Sequence, residues 1–100
     1  MKYQPNKLLD GLNKSMENVT MYSTQWCPYC ISAEKLLVSK GVAINKIRID
    51  LDETQRDIML SKSGGKRTVP QIFIGDFHVG GFDELAALNR QGKLDSLIQS

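Results

Sequence analysis

Trp26-Cys27-Pro28-Tyr29-Cys30 governs the reading of the whole chain, because it holds both cysteines of the 100-residue sequence. Pro28, with its fixed φ and no N–H to leave unpaired, suits the first position of a helix. Cys27 then stands at the helix start and Cys30 lies one turn further in. Residues three apart on a helix are surface neighbours with Cβ atoms roughly 5–6 Å apart. A small rotation brings them to the roughly 3.5–4.5 Å of a relaxed disulfide. The two sulfurs can therefore join and part with little rearrangement. A helix start also presents unpaired N–H groups and the positive end of its dipole, surroundings that lower a cysteine pKa from about 8.5 into the range of roughly 3.5–7.5. Cys27 is accordingly expected to be the thiolate and Cys30 the resolving thiol.

Two plainer uses of the pair fit less well. Two cysteines fall short of the four ligands of a structural zinc site, and the one histidine, His78, is far away in sequence. A purely structural disulfide gains little from closing so short a loop, since the entropic gain grows with loop length.

Working outward, the composition is that of an ordinary globular protein, with 41% hydrophobic and 24% charged residues. One hundred residues suffice for one core and one domain. A formal charge of +2, without a block of like charges, argues against nucleic acid or a membrane surface as partner. The sequence lacks an apolar run near the roughly 20 residues that span a bilayer, and its N-terminus lacks a secretory-type hydrophobic region. A scarce cysteine pair in redox spacing favours a reducing compartment, with the cytoplasm as the expectation.

Along the chain, Leu8, Leu9, Leu12 and Met16 recur at helical spacing, so residues 1–17 are expected to add a short amphipathic N-terminal helix. Asn18 to Ser23, with Val19, Met21 and Tyr22, reads as a first strand that delivers the chain to the cysteine motif. Pro28 to Lys40 reads as a crossover helix closed by Gly41, and Ala43 to Asp50 as a second strand. A helix between two strands implies parallel pairing. Asp52 caps a second helix through about Ser63, which ends against Gly64-Gly65. Val69 to Ile74, the turn Gly75-Asp76 and Phe77 to Gly80 form an antiparallel hairpin. Asp83 to Asn89 reads as a helix, and Lys93 to Ile98 as a final turn or helix. The order β-α-β-α-β-β-α predicts an α/β protein with a small mixed sheet flanked by helices, and it places the cysteines beyond the carboxyl end of the first strand.

Cys27-Pro28-Tyr29-Cys30, Thr68-Val69-Pro70 and Gly80-Gly81-Phe82-Asp83, in that order along a chain of this length, resemble the dithiol glutaredoxins. The similarity runs from about Asn18 to the C-terminus. It implies a thioredoxin-like fold with a four-stranded mixed sheet, and glutathione as the reductant. It also implies a cis Val69–Pro70 bond, with the Val69 N–H and C=O turned outward to pair with glutathione in strand fashion and aim its sulfur at Cys27. Asp83 would meet the γ-glutamyl amine, while the N–H groups of Phe82 and Asp83 would receive the γ-glutamyl carboxylate. Gly80 and Gly81 would permit close approach. Tyr29 would line the groove, and Arg67, with Lys66 behind it, would meet the glycine carboxylate. Without the family, Asp83 is an ordinary first-turn acid, and Lys66 and Arg67 a solvated face.

The sequence departs from the family pattern at three positions. Thr24 stands where many members carry a lysine, which leaves the thiolate more dependent on the helix start. Phe82 stands where a cysteine is frequent, and Trp26 before Cys27 is the thioredoxin arrangement. The resemblance implies a monomeric thiol–disulfide oxidoreductase, with Cys27 and Cys30 catalytic and no resident metal. Its partners would be glutathione and disulfide-bearing or glutathionylated proteins, ribonucleotide reductase among them. The alternatives are a redoxin reduced by thioredoxin reductase, which Trp26 and Thr24 favour and Asp83 and Thr68-Val69-Pro70 disfavour, and a dimer holding a [2Fe–2S] cluster through Cys27 and two glutathiones, which Pro28 and Tyr29 disfavour.

Overall fold

The computed structural model describes residues 18–99, so the helix expected over 1–17 lies outside the described residues. The element order is β1 (Val19–Ser23), α1 (Pro28–Ser39), β2 (Ile44–Arg48), α2 (Glu53–Lys62), β3 (Gln71–Ile74), β4 (Phe77–Gly80), α3 (Phe82–Arg90) and α4 (Leu94–Ile98). The strands lie in the order β2-β1-β3-β4. β1 runs parallel to β2 and antiparallel to β3, and β3 is antiparallel to β4. The expected mixed sheet of the thioredoxin-like type is therefore present. No helix among the described residues is long and apolar enough to cross a membrane.

The alternation of the strands sorts their side chains onto two apolar layers. Val19, Met21, Ile72 and Ile74 face one layer, where Ala33 and Leu37 of α1, Leu85 of α3, and Leu94 and Ile98 of α4 complete a cluster that also takes in both cysteines. Tyr22 and Phe73 face the other layer and pack with Ile49 and with Met59 of α2. Their rings meet edge to face at 5.8 Å, and the Lys62 ammonium lies 4.8 Å from the Phe73 ring centroid.

The boundaries follow local chemistry. Asp52 caps α2 by accepting from the N–H groups of Thr54 and Gln55 at 3.0 and 3.4 Å. Gly41, at φ +79°, follows the last turn of α1 and releases the chain toward β2. Several boundaries shift by a residue or two, β2 ending at Arg48 instead of Asp50. The third strand starts at Gln71 instead of Val69, since Pro70 has no N–H to give a ladder. α3 starts at Phe82 instead of Asp83, because Gly81, in extended conformation at φ −94° and ψ −163°, is its N-cap.

Candidate active site

β1 ends at Ser23, and residues 24–26 carry the chain to Cys27, the N-cap of α1. An N-cap side chain normally offers an oxygen to the first free N–H groups of a helix. Here a sulfur does so: Cys27 Sγ accepts from the Cys30 N–H at 3.1 Å. Cys27 and Cys30 are joined as a disulfide with Cα atoms 5.2 Å apart, and both are buried. Trp26 and Tyr29 flank them as exposed rings, 84% and 63% accessible.

Two hollows lie beside the disulfide. An open groove of about 260 Å³ is lined by Tyr29, by Thr68, Val69 and Pro70, and by residues 81–84 at the start of α3. The Val69–Pro70 peptide is cis, and the Val69 carbonyl oxygen lies 3.7 Å from Cys27 Sγ. The sulfur therefore sits at the head of the groove without forming part of its wall. Across it, the Tyr29 and Phe82 rings stack at 6.5 Å with planes 28° apart, joining the start of α1 to the start of α3. Glu84 Oε1 accepts from the Gly81 N–H at 2.8 Å. The first intrahelical bond of α3 runs from the Leu85 N–H to the Gly81 carbonyl, so the N–H groups of Phe82 and Asp83 precede the helical ladder. Asp83 is exposed beside them.

The second hollow, of about 160 Å³, is lined by Thr24, Cys27, Cys30, Lys46 and Arg48 among others. Its cations are already engaged. Lys46 pairs with Glu34 at 3.0 Å, and Arg48 with Asp50 at 2.7 Å. The hydrogen bond from Arg48 holds the Asp50 carboxyl well below its usual range, at about 2, against the smaller opposing effect of desolvation. Asp50 Oδ2 also accepts from the Gln25 N–H at 3.2 Å, which ties the loop before Cys27 to the end of β2.

The structure brings Tyr29, Thr68, Val69, Pro70, Gly81, Phe82 and Asp83 to one groove. It does not bring Arg67, which is exposed and outside the groove wall. Lys66 lines an adjoining cavity of about 350 Å³ that also takes in Gln71 and His78. Of the two glycines, Gly80 alone has a positive φ, at +109°. Sequence reasoning passed over Glu84 and Asp50. For Glu84 a signal exists, because it stands three residues after the N-cap at capping-box spacing. For Asp50 none does, since its bond to Gln25 crosses between strands. Among the described residues, no three His, Cys, Asp or Glu side chains converge as a metal site.

A cysteine pair bridged at a helix N-terminus beyond β1, beside a cis-proline turn on a four-stranded mixed sheet, defines a thiol–disulfide oxidoreductase of thioredoxin-like fold. The glutaredoxin family model matches residues 19–79, and the chain belongs to that family. It is 48% identical over 85 residues to a glutaredoxin of Pseudomonas aeruginosa, spanning 85% of this chain and all of the relative. With glutaredoxin 3 of Escherichia coli it shares 46% identity over 84% of this chain and all of the relative. The solution structure of a glutaredoxin from Brucella melitensis matches with a TM-score of 0.75 at 46% identity, covering 87% of this chain and 94% of that one. A buckwheat glutaredoxin–glutathione complex matches with a TM-score of 0.74 at 30% identity, covering 82% and 76%.

Proposed function

We propose that this protein uses glutathione to reduce protein–glutathione mixed disulfides and protein disulfides, with Cys27 as nucleophile and Cys30 as resolving thiol. The observation that carries the reading is the placement of Cys27 Sγ. It is held by a helix N–H at 3.1 Å and stands 3.7 Å from the Val69 carbonyl, at the head of a groove that ends on the α3 N-terminus. In the monothiol route the Cys27 thiolate attacks the glutathione sulfur of a mixed disulfide. A Cys27–glutathione disulfide forms, and the protein leaves as a thiolate that takes up a proton. A second glutathione thiolate then attacks that glutathione sulfur, releasing glutathione disulfide and restoring the Cys27 thiolate. In the dithiol route Cys27 attacks a protein disulfide and Cys30 displaces the substrate thiol, leaving the Cys27–Cys30 bond for two glutathiones to reduce.

The groove would suit the cysteinyl and γ-glutamyl parts of an extended tripeptide. The Val69 backbone would pair with the cysteinyl unit. The Phe82 and Asp83 N–H groups would take the γ-glutamyl carboxylate, and the Asp83 carboxylate the neighbouring amine. Tyr29 would cover the thiol. Arg67 would reach the glycine carboxylate only by swinging in from its exposed position. That a buckwheat relative was solved with glutathione supports the ligand. Action as a monomer in the cytoplasm on proteins such as ribonucleotide reductase belongs to the same proposal.

Steady-state reduction of a glutathionylated peptide, followed through glutathione disulfide release, tests it. Cys30→Ser should keep substantial turnover and Cys27→Ser should have none. Turnover absent from the unaltered protein, or present equally in Cys27→Ser, would contradict the reading.

A further inference from the structure

β3 reads Gln71-Ile72-Phe73-Ile74, and all four residues are buried. Gln71 is only 3% exposed, so both ends of its side-chain amide must find partners within the protein. Its Nε2 donates to the Thr68 carbonyl at 3.0 Å and lies 3.2 Å from Thr68 Oγ1. A carbonyl oxygen can only accept, which fixes the way round the amide sits. Oε1 is then the atom that faces His78 Nε2 at 2.7 Å. An amide oxygen also only accepts, so His78 carries a proton on Nε2 and donates it. The imidazole is held in turn by stacking on Phe73, with centroids 4.7 Å apart and planes 21° apart. Donation therefore runs in one direction, from His78 to Gln71 to the Thr68 carbonyl.

That carbonyl belongs to the peptide joining Thr68 to Val69. The unit is planar and trans, so its C=O and N–H point opposite ways. With the oxygen drawn toward the buried amide of β3, the Val69 N–H is turned away from it, toward the groove that Val69 lines. A peptide whose oxygen accepts a hydrogen bond is also polarised as a donor at its nitrogen. We propose that Gln71, locked by His78, is a positioning residue that orients and polarises the Val69 N–H which receives glutathione. The proposal rests on the glutathione reading of the groove and adds to it the residues that set its central donor.

Three variants separate this role from simple support of the fold. Gln71→Leu removes both ends of the link, His78→Phe keeps a ring on Phe73 but removes the donor, and His78→Gln keeps an N–H donor. One net hydrogen bond corresponds to a change of about 3- to 10-fold in affinity. The apparent KM for glutathione should rise by about that factor in Gln71→Leu and His78→Phe. Turnover at saturating glutathione should change by less than about twofold, and His78→Gln should remain near the unaltered protein. In ligand-free samples the Val69 amide proton resonance should move upfield in Gln71→Leu and His78→Phe, while the α1 amides hold their positions. A Val69 resonance that stays put in folded Gln71→Leu would overturn the inference by itself, independently of any turnover. Should Gln71→Leu fail to fold, equal KM values for His78→Phe and His78→Gln would overturn it equally. An unaltered protein with no glutathione-dependent turnover would instead remove the functional reading beneath it.

Discussion

Gly80 and Gly81 are neighbours at the end of β4 and the start of α3, yet they answer to different constraints. Gly80 has φ +109°, and a Cβ there would meet Glu84 Oε1 at 3.1 Å. Alanine would carry a backbone penalty of about 1–3 kcal/mol. It would also press on the carboxylate that holds the Gly81 N–H. Gly81 is in ordinary extended backbone, and its added Cβ would make van der Waals contacts at 3.4 Å to Glu84 Oε1 and 3.5 Å to the Pro70 carbonyl. Urea unfolding should show Gly80→Ala less stable by about 1–3 kcal/mol and Gly81→Ala by less, up to about 1 kcal/mol for alanine in place of an N-cap glycine. Equal losses in the two would refute the distinction.

At the scale of elements, two aspartates at the end of β2 and the start of α2 do separate jobs. Asp52 caps α2 through Thr54 and Gln55, and Asp52→Ala should cost about 1 kcal/mol in chemical denaturation. Asp50 joins elements, gripping Arg48 and the Gln25 N–H. Its carboxyl is lowered from an ordinary 3.8 to about 2, chiefly by the Arg48 hydrogen bond. A folded value below the unfolded one means that ionised Asp50 stabilises the fold above the ordinary value. That contribution fades as pH falls from about 4 to about 2. The difference in Tm between the unaltered protein and Asp50→Ala, present at pH 7, should therefore close over that acid window. A gap that persisted at pH 2 would show that the ion pair is not its origin.

These elements also show what the sequence discloses and what it withholds. α1, α2 and the hairpin were legible because each carries its own local punctuation: Pro28 and Gly41, Asp52 and Gly64, Gly75-Asp76. α3 begins one residue before the expected Asp83, because its cap is Gly81, which has no side chain to mark it, while Asp83 keeps the first-turn place the sequence suggests. The groove was legible from motifs that stand far apart along the chain. Arg67 lies outside the groove wall, since adjacency to Thr68 in sequence says nothing of which way a side chain leaves the loop. The Gln71–His78 contact spans the β3–β4 turn, and its register includes an irregularity between Ile72 and Phe73 that no pattern of residue types announces.

Taken as a whole, the molecule places two parts of the site, 42 residues apart along the chain at Cys27 and Val69, around one sulfur. Central β1 leads into Cys27, while β3, its antiparallel neighbour, follows directly on the Val69–Pro70 turn, so the sheet brings nucleophile and groove together. The motif order along the chain could suggest this meeting, but only the sheet order β2-β1-β3-β4 accounts for it. The most direct test is to mix the Cys30→Ser protein with glutathione disulfide, quench with acid and locate the added glutathione by peptide mass spectrometry. A glutathione adduct on Cys27 is expected, formed faster than with Asp83→Ala in the same background. Failure of Cys27 to take up glutathione, or uptake at a rate indifferent to Asp83, would contradict it.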